Sequence, residues 1–212
     1  SMYEYINKLV SISSVPFNNG EPALDPMSIN LAGSLAEELA ILLSEKDGFY
    51  AFELALRVFS SRNSECSIGI KEWNCKSLWA ANYKHLVDDC LFFAEDVFGG
   101  QFCIKDNAIY SFDPETGDLE QMATSIDEWA KIILEDYDYW TGYSLAHEWQ
   151  EINGPLGHEI RLIPKIPFVC GGEFEIENLT NINSITSMKS RANLAMQILN
   201  SPDGSEISFH IE

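Results

Sequence analysis

The sequence predicts an α+β fold, a mainly antiparallel, curved sheet with helices packed on one side. Tight turns at Gly99-Gly100 and Lys105-Asp106-Asn107 join three short apolar runs into a meander. Helical periodicity lies before and after that meander, so helices and strands are largely segregated along the chain. The length of 212 residues suits one domain, with residues 1–30 as an N-terminal extension and loop.

Leu31 to Leu43 carries Leu35, Leu39 and Leu42 or Leu43 at helical spacing, and Lys46-Asp47-Gly48 stops that helix. Three prolines between Pro16 and Pro26 make the preceding segment a loop. A second helix is expected from about Tyr50 to Phe59, and a short one from Glu72 to Ala81 presenting Trp73 and Trp79. Cys90 to Ala94 reads as a buried strand, followed by strands at Gln101–Ile104 and Ala108–Phe112. Asp113 to Asp118 has Pro and Gly where a turn wants them. Ser125-Ile126-Asp127-Glu128 is a capping box whose helix places Ile126, Trp129, Ala130 and Ile133 on one face. Glu135 to Tyr143 leads into a further helix through Trp149. Pro164, Pro167 and Gly171-Gly172 mark a loop, Glu173 to Glu177 alternates as a half-solvated strand does, and Met188 to Leu199 is an amphipathic helix. Ile207 to Ile211 alternates again.

Thirty-three acidic residues against thirteen basic ones give a formal net charge of −20, while 46% of the chain is hydrophobic. Disorder requires low hydrophobicity together with high charge, so a packed core is expected. Thirteen scattered basic residues do not build the cationic footprint of a nucleic-acid binder, and anionic membrane surfaces are disfavoured for the same reason. A strongly negative surface favours a cationic partner. No uninterrupted apolar run reaches the ~18 residues of a membrane span. Ser1 to Tyr5 carries no basic n-region, and the five cysteines form no CxxC pair. These features lead to the expectation of a cytoplasmic protein.

No motif selects a catalytic, cofactor or metal site. His147-Glu148-Trp149-Gln150-Glu151 resembles a zincin motif but ends in Glu where the second His belongs. A hydrolase built on His147 and Glu148 therefore stands as a subordinate alternative. Gly142-Tyr143-Ser144-Leu145-Ala146 approaches a nucleophile elbow without its last Gly and without a preceding strand. What stands out instead is a surface. Glu135, Asp136, Tyr137, Asp138, Tyr139 and Trp140, followed by Tyr143, interleave carboxylates with aromatic anchors. Asp88-Asp89 and Glu95-Asp96 add charge at the two ends of the first meander strand. These residues are the expected partner-binding set; the competing reading makes Tyr137 and Trp140 core residues and the acids merely solvated.

The stretch Phe93-Ala94-Glu95-Asp96-Val97-Phe98-Gly99-Gly100-Gln101-Phe102 resembles the signature of the SUKH superfamily, bacterial toxin-immunity proteins similar to a yeast regulator of cell-wall synthesis. Asp47 to Phe52, Asp106 to Tyr110 and the helix around Trp129 extend the likeness over roughly residues 30–180. The resemblance implies a non-enzymatic domain that binds and neutralises a secreted toxin by occluding a basic active site. The partner would be a nuclease or another nucleotide-acting enzyme. A regulatory scaffold binding the cell's own proteins is the alternative that the eukaryotic relatives suggest. The resemblance also implies that Phe98, Gly99 and Gly100 shape a turn rather than touch a partner.

Overall fold

The structure is a computed structural model and describes residues 2–202 and 206–211. Six strands follow one another in sheet order as they do in sequence: β1 (Phe49–Ala51), β2 (Leu56–Val58), β3 (Leu91–Glu95), β4 (Gln101–Lys105), β5 (Ala108–Phe112) and β6 (Leu119–Ala123). Every neighbouring pair is antiparallel, as short turns between consecutive strands require. The expected meander is thus present and extends by β6 on one side and by β1 and β2 on the other. Eight α-helices complete the α+β class among the described residues.

Helices α1 (Glu4–Ser11), α2 (Pro26–Ala32), α3 (Ala36–Glu45) and α5 (Ile126–Glu135) make one helical layer against the sheet. Ser125 Oγ accepts from Glu128 N at 3.1 Å, so the predicted cap starts α5. The predicted stripe Ile126, Trp129, Ala130 and Ile133 is buried, with Trp129 edge-on to Phe93 and Phe102. The register of β3 on β4 shifts between Phe92 and Ala94. Phe92 packs with Trp79 and Phe112, while Phe93 packs on Trp129. The Phe92 side is lined by α4 (Ile70–Trp73), a 3-10 segment (Ala80–Val87) and α8 (Ser184–Asn200). The first residues are more than an extension, since Ile6 and Leu9 of α1 are buried and α1 packs on α5.

Several expected elements take another form. The segment Tyr50 to Phe59 is a β-hairpin, β1 to β2, and not a helix. Its Ala, Leu and Glu content favours helix locally, but Phe49, Leu56 and Val58 bury completely on the sheet. The hairpin turns through three consecutive non-glycine residues in the left-handed region, Phe52, Glu53 and Leu54, at φ 55°, 52° and 72°. The expected Leu31–Leu43 helix starts earlier, capped by Asp25, and a 3-10 turn at Gly33–Leu35 divides it into α2 and α3. Pro26–Glu45 is long and apolar enough to cross a membrane by length and composition, yet Leu39, Leu42 and Leu43 are core residues here. Trp73 and Trp79 are not presented outward; both are fully buried.

Beyond α5 come α6 (Tyr137–Thr141), α7 (Tyr143–Asn153) and a separate two-stranded sheet of β7 (Ile160–Pro164) and β8 (Leu179–Asn183). Glu173 to Glu177 is not a strand. Asn178 clamps that loop through Ile166 N, Ile166 O and Glu173 O, and strand pairing begins one residue later. Helix α8 opens at Ser184, where the Asn183 side chain accepts from Ile185 N and Thr186 N. The last expected strand, Ile207 to Ile211, is coil. Its Ser208 backbone pairs with the side-chain amide of Gln197 on α8 rather than with another strand. A second, smaller hydrophobic cluster, including Ala55, Val97, Ala146 and Leu162, lies between the β1–β2 tip, α7 and β7.

Candidate functional site

The end of β3 organises the site. Glu95, the last residue of the strand, is fully buried. Its Oε2 accepts from Arg57 Nε at 3.0 Å and from Arg161 Nε at 2.8 Å, and its Oε1 accepts from Gln101 Nε2 at 3.1 Å. Arg57 also donates to Glu159 Oε1 at 2.7 Å, and Arg161 Nη1 to Leu54 O at 2.7 Å. Burial pushes the Glu95 carboxyl upward; the charges of Arg57 and Arg161 and the bonds from Arg161 and Gln101 more than reverse this and hold it low. Glu95 was expected on a partner-binding surface. It is instead the centre of a core ion network, because two guanidinium groups from β2 and β7 converge on it.

One residue later the chain turns. Asp96 Oδ1 accepts from Phe98 N and Gly100 N, both at 2.8 Å. A Cβ on Gly100 would sit 2.4 Å from Asp96 Oδ2, so only glycine lets the carboxylate close this turn. The carboxyl of Asp96 is pushed up to about 7 by burial, against the two backbone bonds and the charges of Arg191 and Arg161. Gly142, at φ 76°, joins α6 to α7 over this turn, where a Cβ would meet Phe98 Cε2 at 2.6 Å. Val97 N donates to Thr141 O at 3.1 Å and its carbonyl accepts from Leu162 N at 2.9 Å. The turn is therefore braced on both sides.

Between the turn, α6, the 168–174 loop and the end of the sheet lies a cleft of about 670 Å³. Asp138, Tyr139, Trp140 and Leu145 form one wall. Phe168 and Phe174, with stacked rings 3.8 Å apart, form the opposite one, and Phe98 meets both edge-on. Tyr139 (72% exposed) and Phe174 (62% exposed) stand out at the rim. Glu115, which lines the cleft, positions the 168–174 loop by accepting from Phe168 N at 3.2 Å and Val169 N at 2.8 Å. Burial raises its carboxyl, and Arg191, 3.8 Å away, opposes that. Arg191 itself is buried, and its Nη1 donates to Phe98 O.

Three further carboxylates line the cleft with one oxygen committed and one free. Asp96 uses Oδ1 for its turn, Asp113 Oδ1 accepts from Glu115 N at 2.9 Å, and Asp138 Oδ1 accepts from Ser144 N at 2.7 Å. No hydrogen bond to protein occupies the second oxygen of any of the three among the described residues. Nor do His, Cys, Asp and Glu side chains gather anywhere among the described residues into a group able to hold a metal ion.

On its far side α6 meets the β1–β2 tip. Tyr137 stacks on Phe52 at 4.7 Å between ring centroids, and Tyr143 lies edge-on to Tyr137. His147 Nδ1 is 3.0 Å from Glu53 Oε1. A bond from Tyr143 and the one with His147 hold the Glu53 carboxyl low, and Glu53 in turn raises the imidazole of His147. Both His147 and Glu148 lie on the outer surface of α7, away from the residues lining the cleft.

The sequence-predicted surface thus divides. Asp96, Asp138, Tyr139 and Trp140 line the cleft; Glu135, Asp136 and Tyr137 are exposed beside it, and Tyr143 faces the hairpin tip. Trp140 is half-buried, Tyr137 is 40% exposed, and neither is a fully buried core residue. Asp88 and Asp89 are exposed but precede β3, so the whole strand, roughly 16 Å, separates them from Asp96. They do not join the acid and aromatic cluster. Sequence reasoning missed Asp113, Glu115, Phe168, Phe174 and Arg191, which reach the cleft from four distant segments. It also missed Phe52 and Glu53, whose hairpin reads as helix.

No family model matches the chain, and no curated protein matches it. Among solved structures, it is similar to Atu4351 from Agrobacterium tumefaciens, with a TM-score of 0.59 and 13% sequence identity over 90% of this chain and 88% of that one. The likeness is one of fold.

Proposed function

We propose that this chain is an immunity protein that binds a cognate secreted toxin domain and neutralises it by covering a basic active surface. The observation that carries the reading is the cleft beside α6, where aromatic walls and free carboxylate oxygens meet. Interface anchors are typically Trp and Tyr packed in desolvated pockets, with charged groups around them. Tyr139, Trp140 and Phe174 supply the anchors, and Asp96, Asp113 and Asp138 the charge. The resemblance of the segment around Asp96 to the SUKH signature supports the same reading.

The proposed mechanism is competition. An enzyme acting on nucleic acid or nucleotides needs Lys and Arg to hold phosphate. Carboxylates fixed on rigid turns offer those cations an alternative partner, and the net charge of −20 speeds encounter. No chemistry is required of the chain itself, and it would act in the cytoplasm before the toxin leaves. The experiment is co-production with the toxin domain encoded beside it. Survival of producing cells and a one-to-one complex are expected. Continued toxicity without complex formation overturns the reading.

A further inference from the structure

The cleft has features that narrow what enters it. Its free oxygens belong to three carboxylates on separate segments, the β3–β4 turn, the loop after β5 and α6. They are not gathered into a set that would hold a metal ion. A compact point charge therefore gains little from them, whereas a broad planar cation with several donors reaches more than one. The walls are aromatic, with Trp140, Phe98 and Phe168 facing the same space. Guanidinium groups stack on aromatic faces and shed water more readily than ammonium groups do. The positive charge already present, Arg191, is engaged by Glu115 and Phe98 O and does not satisfy the three free oxygens. A carboxylate or phosphate ligand would meet these oxygens as like charges. The volume of about 670 Å³ falls in the ~300–1,000 Å³ range of ligand clefts and admits a side chain with part of its flanking backbone.

We propose that the cleft is a receptor for an arginine side chain projecting from the partner protein, its guanidinium held by Asp96, Asp113 and Asp138 against the aromatic walls. This rests on the reading that the chain binds a basic partner and specifies the group that is recognised.

The test uses the full chain and a blocked tri-arginine peptide, with tri-lysine and tri-citrulline as comparisons, followed by two-dimensional amide NMR. Saturable shifts at the amides of Phe98 and Gly100 and at the Trp140 indole are expected with tri-arginine. Tri-lysine should bind more weakly, and neutral citrulline, which keeps the shape, about tenfold more weakly or worse. Asp138→Asn retains the Oδ1 that accepts from Ser144 N, so the helix stays capped while affinity falls. Asp88→Asn with Asp89→Asn removes two charges at the other end of β3 and should leave affinity unchanged. Shifts absent at millimolar tri-arginine, equal shifts with citrulline, or equal losses in both sets of variants overturn the proposal. Because the peptide replaces the toxin, this result is independent of cell survival. Arginine binding without protection defeats the immunity reading alone, and protection without arginine binding defeats the cleft assignment alone.

Discussion

Arg161 Nε donates to Glu95 Oε2 at 2.8 Å, with both side chains withdrawn from solvent. Arg57 approaches the same oxygen from the other side, so one carboxylate compensates two guanidinium groups. Removing one member of such a buried network leaves charge uncompensated. Glu95→Gln should therefore cost about 3–5 kcal/mol in denaturant unfolding. A loss below about 1 kcal/mol would show that solvent reaches the arginines. The network also sets an acid limit. The carboxyl of Glu95 lies below its ordinary value of 4.5, so its stabilisation is present above that pH and is lost as pH falls through the folded value.

Asp96 acts in the opposite direction. Its folded value of about 7 lies above the ordinary 3.8, so folding favours the neutral carboxyl. That contribution is intact below 3.8 and is lost as pH rises through 7. The groups that bear on Asp96 are the Phe98 and Gly100 amides, Arg161 and Arg191. Asp96→Asn keeps the oxygen that closes the turn and removes the titration. The Tm of the variant relative to the parent should rise between about pH 5 and pH 8. A constant difference across that range would rule the titration out.

At the hairpin tip, Glu53 raises the imidazole of His147 through an exposed ion pair. In Glu53→Gln, the NMR-observed titration midpoint of His147 should move down toward the ordinary histidine value of 6.5. The pairing is complete only while His147 is protonated, so it weakens as pH rises through that midpoint. An unmoved midpoint would assign the shift to another group.

The two exposed rings of the cleft wall should separate binding from folding. Tyr139→Ala leaves the core untouched and should leave Tm within about 1 °C, since surface changes rarely exceed 0.5 kcal/mol. Its complex with the toxin should weaken by about 2 kcal/mol or more if the ring is an anchor. Surface plasmon resonance reads both rate constants, and unchanged binding would remove Tyr139 from the interface.

Charge should act on encounter. The association rate with a basic toxin domain should fall steeply as ionic strength rises, because the Debye length shrinks to ~8 Å at 0.15 M. An association rate indifferent to salt would confine the role of the −20 charge to solubility.

Local signals made the middle of the fold legible. Turn residues at Gly99-Gly100 and Asp106-Asn107 fixed the β3–β5 meander, and Ser125 with Trp129 fixed α5 and its buried face. Where tertiary packing opposes composition, the sequence misleads. Phe49 to Val58 has helix-forming residues, but their burial against β3 makes a hairpin, and no glycine advertises the left-handed turn at Phe52 to Leu54. Glu173 to Glu177 alternates like a strand, yet Asn178 gathers its backbone into a loop. The site was half legible. Asp138, Tyr139 and Trp140 are contiguous and announce a surface, whereas Phe168, Glu115 and Arg191 converge only in space. Glu95 and Asp96 are adjacent acids with opposite fates, and what separates them is two arginines distant in sequence.

That distance also orders events during synthesis. Arg161 follows Glu95 by 66 residues. At ribosomal speeds of ~5–20 residues per second, roughly 3 to 13 seconds pass between their appearances. Through that interval the nascent meander holds its central carboxylate against Arg57 alone and must leave β3 partly open to water. Closure of the sheet is then a late event, triggered by the arrival of β7. A chain cut short after α7 would remain ajar at the strand end that carries the cleft.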